Sequence, residues 1–255
     1  MKVLGIDLGS REVKIALMEK GVIVDKKKIS TMFFYKNYCT FNKNKNKLEV
    51  DVVKLGIYEP VEAVSTGYGR NNTDIRMFKP ITEIKAHVYG ARYQTGLKDF
   101  TLLDIGGQDV KAVKVEKGLV TDLELNDKCA ASCGRYLENM AAVLEISLEE
   151  MTKYYENPIE LNSTCSVFSE SELIGKIAEG INFESLCSGV NHSLYSRLRP
   201  LLTKFKGRKL VMTGGVANCS ALTHYLKNDF DEVIQVAEPQ FNGAIGCCSY
   251  GAKLL

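Results

Sequence analysis

The fold is decided by Asp7-Leu8-Gly9-Ser10-Arg11-Glu12-Val13-Lys14, a stretch that returns in a close copy as Asp104-Ile105-Gly106-Gly107-Gln108-Asp109-Val110-Lys111. An apolar run precedes each copy and another follows it, which predicts a strand, a tight glycine turn with a carboxylate at its start, and a returning strand. Glycines let the backbone approach a polyphosphate closely, because a side chain there would clash. The aspartate can hold a magnesium ion or its water shell. A single copy is typical of an ordinary hairpin, but two matching copies indicate a pair of phosphate-binding hairpins.

A third glycine element is Lys209-Leu210-Val211-Met212-Thr213-Gly214-Gly215-Val216-Ala217-Asn218, which predicts a strand, a Gly-Gly turn and a helix start. Backbone at such a turn can lie flat against an adenosine. In their order along the chain, the three elements resemble the nucleotide site of the superfamily that holds actin, sugar and acetate kinases and the heat-shock ATPase chaperones. The resemblance implies an α/β, duplicated ribonuclease H-like fold of two lobes with a nucleotide in the cleft between the lobes.

The residues expected to act on the nucleotide follow from these elements. Asp7 and Asp104 are expected to place carboxylates around Mg²⁺ and the phosphates of ATP or ADP, and Gln108 to orient a phosphate or the attacking water. Further nucleotide contacts are expected from eight residues: Gly9, Ser10, Lys14, Gly106, Gly107, Gly214, Gly215 and Asn218.

Composition limits the class of protein. The chain has 255 residues, 45% of them hydrophobic, and a net charge of +2 without a long basic stripe, which disfavours nucleic acid as a partner. No uncharged apolar run approaches the roughly 20 residues that cross a bilayer, and Asp7 interrupts the first apolar stretch, so a cytoplasmic protein without a membrane segment is expected. None of the eight cysteines forms a Cys-x-x-Cys pair, and most are expected to be small buried side chains.

The predicted secondary structure shows an internal duplication. Strands at 2–8, 13–18 and 21–31 recur at 100–105, 109–116 and 119–125. Lobes are therefore expected at 1–95 and 96–255, with the last helix, 242–254, packing on the first lobe. The remaining predicted strands are 61–66, 209–213 and 232–236, and the remaining predicted helices are 49–57, 81–94, 129–144, 147–155, 169–180, 184–205 and 216–227.

Two cysteine segments in the second half suggest further chemistry: Asn126-Asp127-Lys128-Cys129-Ala130-Ala131-Ser132-Cys133-Gly134-Arg135 and Ser163-Thr164-Cys165-Ser166-Val167-Phe168-Ser169-Glu170-Ser171-Glu172. In each, a cysteine follows polar capping residues and precedes a helix-like stretch. Free N–H groups at a helix start favour a thiolate and suit an anionic metal–sulfur cluster. A 4Fe–4S cluster usually takes four thiolates, so Cys129 and Cys165 of two chains would together supply one shared cluster. For either cysteine alone, core packing is the ordinary alternative.

Both segments resemble the signatures of the activator ATPases of 2-hydroxyacyl-CoA dehydratases, in the family that includes benzoyl-CoA reductase ATPase subunits. Asp104 to Lys111, Thr66-Gly67-Tyr68-Gly69-Arg70 and Met212 to Ala217 match that family too. The resemblance covers nearly the whole chain and is weakest over 32–58. It implies a homodimer that bridges one 4Fe–4S cluster through Cys129 and Cys165 of each subunit and binds Mg-ATP in each subunit. Hydrolysis would then drive a single low-potential electron to a partner iron–sulfur dehydratase or reductase, with ferredoxin or flavodoxin as donor.

Two residues depart from the family pattern inside the first cysteine segment. Ser132 stands where the family commonly has Gly, and Cys133 where it has Thr. For Cys133 an alternative ligand, a group facing the cluster sulfurs, and a thiol that fills the space of the threonine all remain open, and the last is favoured. The competing functions are a small-molecule kinase of the same superfamily and a non-redox ATP-dependent switch.

Overall fold

The computed structural model describes residues 2–57, 62–71, 73–74, 78–126, 133–162, 165–205 and 207–254. The chain divides into two compact units. The first comprises Met1–Leu97 together with Gln240–Leu255, and the second comprises Lys98–Pro239.

The first unit contains eight described strands and three described helices. They are β1 (Lys2–Leu8), β2 (Glu12–Glu19), β3 (Val22–Ser30), α1 (Thr31–Tyr38), β4 (Cys39–Asn42), β5 (Lys47–Val50), β6 (Glu62–Thr66), β7 (Thr73–Asp74), β8 (Phe78–Pro80), α2 (Glu83–Thr95) and, at the end of the chain, α8 (Asn242–Leu254). The main sheet has the order β3-β2-β1-β6-β8, and a small sheet has the order β4-β5-β7. In the main sheet β1–β3 are antiparallel, whereas β6 and β8 continue it in parallel.

The second unit contains the elements that lie between these segments. They are β9 (Phe100–Ile105), β10 (Val110–Glu116), β11 (Leu119–Asn126), α3 (Gly134–Val143), α4 (Leu148–Met151), α5 (Ser166–Ala178), α6 (Phe183–Leu202), β12 (Lys209–Thr213), α7 (Ser220–Leu226) and β13 (Glu232–Gln235). Its sheet has the order β11-β10-β9-β12-β13, with β12 and β13 in parallel.

The two sheets repeat one plan, which confirms the duplication expected from the sequence. In each sheet the first three strands form a meander, and the fourth and fifth strands extend it beside the first. The turns after the second strands also correspond: Lys20 and Gly21 have φ of 49° and 84°, and Lys117 and Gly118 have 51° and 77°. Two consecutive positive φ values are the signature of a turn whose twist matches an antiparallel hairpin.

Both faces of strand β1 are buried, because successive side chains point to opposite faces of the sheet and each face packs against different residues. Leu4, Ile6 and Leu8 pack in a cluster with Phe34 of α1. Val3 points to the other face and joins a cluster with α8. Helix α8 also lies against α2, where the close approach requires Gly246: a Cβ there would clash with the backbone carbonyl of α2.

The second unit buries a larger apolar cluster against one side of its sheet. Tyr136, Leu137 and Met140 of α3 lie in it together with Leu194 and many other side chains of α6 and α7. The 20-residue helix α6 is capped at its N-terminus by Asn182, whose side-chain oxygen accepts a hydrogen bond from the N–H of Ser185 at 2.9 Å. The rest of the second unit is built around this helix and the sheet.

The prediction of a helix over residues 49–57 is wrong. The chain instead forms β5 and then a series of turns. The side chain of Asp51 accepts hydrogen bonds from the N–H groups of Val53 and Lys54 at 3.1 and 3.2 Å. Such bonds between a side chain and the nearby backbone compete with the hydrogen bonds of a helix and favour a turn. The preceding residues, 31–50, form α1 and the β4–β5 hairpin, neither of which was predicted.

Several helix boundaries also differ from the prediction. The helix predicted at 147–155 is confined to α4, and the one predicted at 216–227 is a 3₁₀ turn, Gly215–Asn218, followed by α7. The described part of the helix predicted at 129–144 begins only at Gly134, and α5 begins at Ser166, three residues before the predicted start of 169–180. Among the helices that the structure describes, none is both long and apolar enough to cross a membrane.

Candidate functional site

The first glycine hairpin joins β1 to β2 in the first unit. Asp7 is opposite Lys14 in the ladder and is nearly buried. The Lys14 ammonium lies 3.7 Å from the carboxylate of Glu12. The turn is tied to the start of α1, because the Thr31 hydroxyl donates to the Gly9 carbonyl at 2.8 Å. Ser10 is exposed at the turn.

The second hairpin joins β9 to β10 in the second unit and repeats the same arrangement. Asp104 is opposite Lys111 in the ladder and is 3% exposed. The Lys111 ammonium lies 2.5 Å from the carboxylate of Asp109 and 3.7 Å from that of Asp104. In both hairpins, therefore, a carboxylate two residues before the lysine neutralises it. Gln108 is exposed at the turn.

Asp104 is also fixed from the neighbouring strand. The Thr213 hydroxyl, at the end of β12, donates to Asp104 Oδ1 at 2.8 Å, and both groups are buried. The Gly-Gly turn follows at once. Gly214 has φ 86° and lies directly against the backbone of Ile105, where a side chain would not fit. The second glycine hairpin and the Gly-Gly turn are thus parts of one packed structure.

Asp7 lies beside residues that the sequence did not single out for a nucleotide role. A Cβ built on Gly243, in the first turn of α8, would be 2.5 Å from Asp7 Oδ2 and 3.1 Å from His87 Nε2. Asn242 donates to the His87 carbonyl at 2.9 Å and accepts from Gln94 at 2.9 Å. The start of a helix is a favourable neighbour for a carboxylate, so the first turn of α8 suits the position of Asp7 beside it.

The N-terminus of α3 is hydrogen-bonded to the second hairpin. Gly134 N–H donates to the Gly106 carbonyl at 3.0 Å, and Arg135 N–H donates to the Gly107 carbonyl at 3.1 Å. The thiol of Cys133, which occupies the N-cap position, donates to the same Gly107 carbonyl at 2.9 Å. Cys133 is buried, so it occupies a packed site as favoured from the sequence, and its thiol is bonded to the second glycine hairpin.

Cys165 is the N-cap of α5, and its side chain is exposed and makes no capping bond. The first turn after it contains no acidic residue. The helix carries apolar residues into solvent: Val167, Phe168, Ile174 and Ile177 are 67%, 69%, 52% and 43% exposed. Cys129, the other predicted ligand, lies outside the described residues, and no group of three or more His, Cys, Asp or Glu suited to a metal occurs within the described part of the chain.

Four other cysteines, Cys187, Cys219, Cys247 and Cys248, are buried thiols, as expected from the sequence for most of the cysteines. Burial raises the pKa of Cys187 to about 12, of Cys219 to about 11 and of Cys248 to about 12, and it raises that of Cys247 well above its usual range. Such thiols stay protonated at neutral pH, so these four side chains are poorly suited to act as thiolate ligands.

Comparisons with known proteins agree on one group of relatives. The family described as the BadF/BadG/BcrA/BcrD ATPase family matches residues 4–251. The (R)-2-hydroxyglutaryl-CoA dehydratase activating ATPase of Acidaminococcus fermentans is 32% identical over 256 residues, which cover 98% of this chain and 96% of the relative. The activator of lactoyl-CoA dehydratase of Anaerotignum propionicum is 40% identical over 198 residues, covering 73% of this chain and 74% of the relative.

A solved structure gives the same result at the level of the fold. The activator of the 2-hydroxyisocaproyl-CoA dehydratase from Clostridium difficile with bound ADPNP superposes with a TM-score of 0.84 at 30% identity, covering 100% of this chain and 95% of that chain. The predicted fold class is confirmed: the chain has the duplicated ribonuclease H-like α/β fold of the actin, sugar kinase and heat-shock chaperone ATPases.

Proposed function

The chain belongs to the BadF/BadG/BcrA/BcrD ATPase family, and from that premise we propose that it is an ATP-dependent activator that delivers single low-potential electrons to a partner iron–sulfur enzyme. Relatives are named as activators of three 2-hydroxyacyl-CoA dehydratases and as a benzoyl-CoA reductase subunit, so the acceptor we propose is a dehydratase or reductase of this kind. Ferredoxin or flavodoxin is the proposed donor.

The observation that carries the proposal is the position of Cys165. An exposed thiol at the start of a helix, with free N–H groups and no acidic residue in the first turn, is a favourable place for a thiolate ligand. The exposed apolar side chains of α5, beginning with Val167 and Phe168, fit burial against a second copy of the chain. These features fit a 4Fe–4S cluster shared by a homodimer, with Cys165 and Cys129 of each subunit as ligands.

For the nucleotide we assign Asp7 and Asp104 to Mg²⁺ or its water shell, and Gln108 to a phosphate or the attacking water. Buried carboxylates at the ends of two strands suit a hard cation that keeps most of its ligands as water and phosphate oxygens. Thr213 and Lys111 hold Asp104 in one orientation, and the first turn of α8 lies directly beside the carboxylate of Asp7. The glycine turns, Ser10, Lys14 and Asn218 are assigned to the nucleotide itself.

In this mechanism the described side chains bind and orient rather than transfer electrons. Asp7 and Asp104 would each hold Mg²⁺ or its water shell, and the exposed Gln108 can contact a phosphate or a water molecule. Cys165 would ligate the cluster at the start of α5. When bound, the cluster supplies the one-electron chemistry that protein side chains lack.

The nucleotide assignment is tested by magnesium-dependent ATP hydrolysis in anaerobically purified protein. Asp7→Ala and Asp104→Ala should each reduce hydrolysis by at least about 100-fold while iron content is unchanged. Asp122→Ala, on the half-exposed edge strand β11 and outside the glycine turns, is the matched control and should hydrolyse ATP like the wild type. Wild-type rates in both aspartate variants would contradict the assignment.

The cluster assignment is tested by counting iron and acid-labile sulfide per dimer, with the mass measured by light scattering. The wild type should be brown and contain four irons per dimer, whereas Cys165→Ala should lose the iron and weaken the dimer. Cys187→Ala, which removes a buried thiol, should keep full iron. Four irons per monomer, or full iron in Cys165→Ala, would contradict the bridged cluster, and a colourless wild type would favour a kinase or a non-redox switch.

A further inference from the structure

A continuous set of contacts leads away from the second phosphate hairpin within the second unit. The carbonyls of Gly106 and Gly107 accept three donors from the first residues of α3, namely Cys133, Gly134 and Arg135. The N-terminus of α3 is therefore fastened to the turn that we assign to the phosphates, and a displacement of that turn must displace the helix start or break these bonds.

The next residue along α3 makes the second contact. The ring of Tyr136 is fully buried, and the guanidinium of Arg197 from α6 lies 4.1 Å from its centroid. Arg197 Nη2 also donates to the hydroxyl of Ser169 at 2.9 Å. Ser169 is buried in the first turn of α5, and its N–H donates to the carbonyl of Cys165 at 2.9 Å.

We propose that Arg197 is a positioning residue that couples the phosphate hairpin at Gly107 to the N-terminus of α5 at Cys165. The inference rests on the proposed function, since it names the route by which the nucleotide state reaches the side of the protein that would bear the cluster. The contacts described for Arg197 are with Tyr136 and Ser169, which lie between the hairpin and Cys165 along this route. Arg197 acts by holding Tyr136 of α3 and Ser169 of α5 in one fixed relation.

The chemistry of arginine suits this role. A planar guanidinium can stack on an aromatic face and donate in its own plane at the same time, whereas a lysine ammonium cannot satisfy both geometries. Both contacts are made where solvent is largely excluded, because Tyr136 and Ser169 are fully buried. Packed contacts of this kind tend to have discrete arrangements and transmit small shifts between helices.

The test compares Mg-ADP with a magnesium-bound non-hydrolysable ATP analogue in the anaerobically purified full chain. Two quantities are measured in each state: the rate of iron removal by a chelator, and hydrogen exchange in the peptide that contains the first turn of α5. The informative variants are Arg197→Met, Arg197→Lys and Ser169→Ala. The controls are Tyr136→Phe, which keeps the stacked ring and removes a hydroxyl with no partner among the described residues, and Arg199→Met on the same helix.

We expect the ratio of rates between the two nucleotide states to fall at least about fivefold in Arg197→Met, Arg197→Lys and Ser169→Ala. Iron content and the affinity for each nucleotide should stay within about twofold of the wild type, which a general loss of structure would not allow. Both controls should keep the wild-type ratio. Hydrogen exchange reports on the helix itself, so the result does not depend on the activity of the loaded protein.

Wild-type ratios in Arg197→Met would overturn the proposal. If Arg197→Met does not fold, Ser169→Ala decides the matter, because it removes one acceptor hydroxyl, and a wild-type ratio there overturns the proposal equally. A wild type whose iron removal and exchange are identical in both nucleotide states contradicts the proposed function, and the coupling fails with it. If iron removal and hydrogen exchange depend on the nucleotide in the wild type and to the same extent in the variants, only the role of Arg197 is contradicted.

Discussion

The hydrogen bond from Thr213 to Asp104 allows a quantitative test of how the second hairpin is held. Thr213→Val keeps the shape of the side chain and removes the hydroxyl, which leaves a buried carboxylate oxygen without its donor. A hydrogen bond to a charged group contributes about 1.5–3 kcal/mol. We therefore expect Thr213→Val to lower the free energy of unfolding by about 2 kcal/mol.

The chain offers a matched control in the adjacent strand. Thr101 of β9 is equally buried, but its hydroxyl has no hydrogen-bond partner among the described residues. Thr101→Val should leave stability unchanged or raise it by about 1 kcal/mol, because an unsatisfied hydroxyl is replaced by a methyl group. The two variants should thus differ by about 2–3 kcal/mol, which corresponds to roughly 4–12 °C in Tm for a chain of this size.

Thermal unfolding followed by circular dichroism, without nucleotide, measures this difference. Calorimetric titration with Mg-ADP provides the functional comparison, since Asp104 is assigned to the metal: affinity should fall in Thr213→Val and persist in Thr101→Val. Equal Tm values for the two variants, or a lower Tm for Thr101→Val, would refute the reasoning that the Thr213 hydroxyl holds Asp104 in place.

Three further predictions follow from packing, thiol burial and titration. Gly246→Ala should destabilise the protein by about 3 kcal/mol in urea unfolding, because the added methyl group would clash with the backbone of α2. Gly175→Ala, where the added methyl group meets open space, should be neutral or slightly stabilising, and equal urea midpoints for the two variants would contradict the close contact of α8 with α2. At pH 8 in cluster-free protein, iodoacetamide should label the exposed Cys165 well before Cys39, because burial raises the pKa of Cys39 to about 11. Faster labelling of Cys39, measured by peptide mass spectrometry, would contradict this order. Burial, and to a smaller extent a neighbouring arginine, lowers the pKa of His192, so the unfolded chain takes up a proton before the folded chain does as the pH falls through about 6.5, and the free energy of unfolding declines. His192→Phe should show a weaker decline between pH 7 and 5.5, and an unchanged decline would exclude His192 as its source.

The hairpins could be predicted from sequence because every part of them is local. Asp7 and Lys14 lie in one short stretch, and so do Asp104 and Lys111, so the ladder that brings each pair together follows from a single turn. The duplication was visible for the same reason. The likeness of the whole chain to its relatives then confirmed the fold that these local signals predicted.

The surroundings of Asp7 could not be predicted in this way. Gly243 lies against its carboxylate and His87 lies close by, both from distant parts of the chain, and neither carries a local pattern that predicts this arrangement. The link from Tyr136 through Arg197 to Ser169 was missed for the same reason, since it joins three helices. In the 31–57 segment, the apolar residues of α1 and of β5 had no periodicity that separated a helix from strands and turns.

The return of α8 to the first unit determines the order in which the molecule can be completed during synthesis. The second unit, Lys98–Pro239, is contiguous and has all its residues before α8 is made. The first unit lacks the helix that covers Gly5 and Val3 of its central strand until residues 240–254 have been added. Although the first unit begins at the N-terminus, it is the second to finish folding, and a nascent chain stopped at residue 239 is expected to contain a protease-resistant second unit beside an open first sheet.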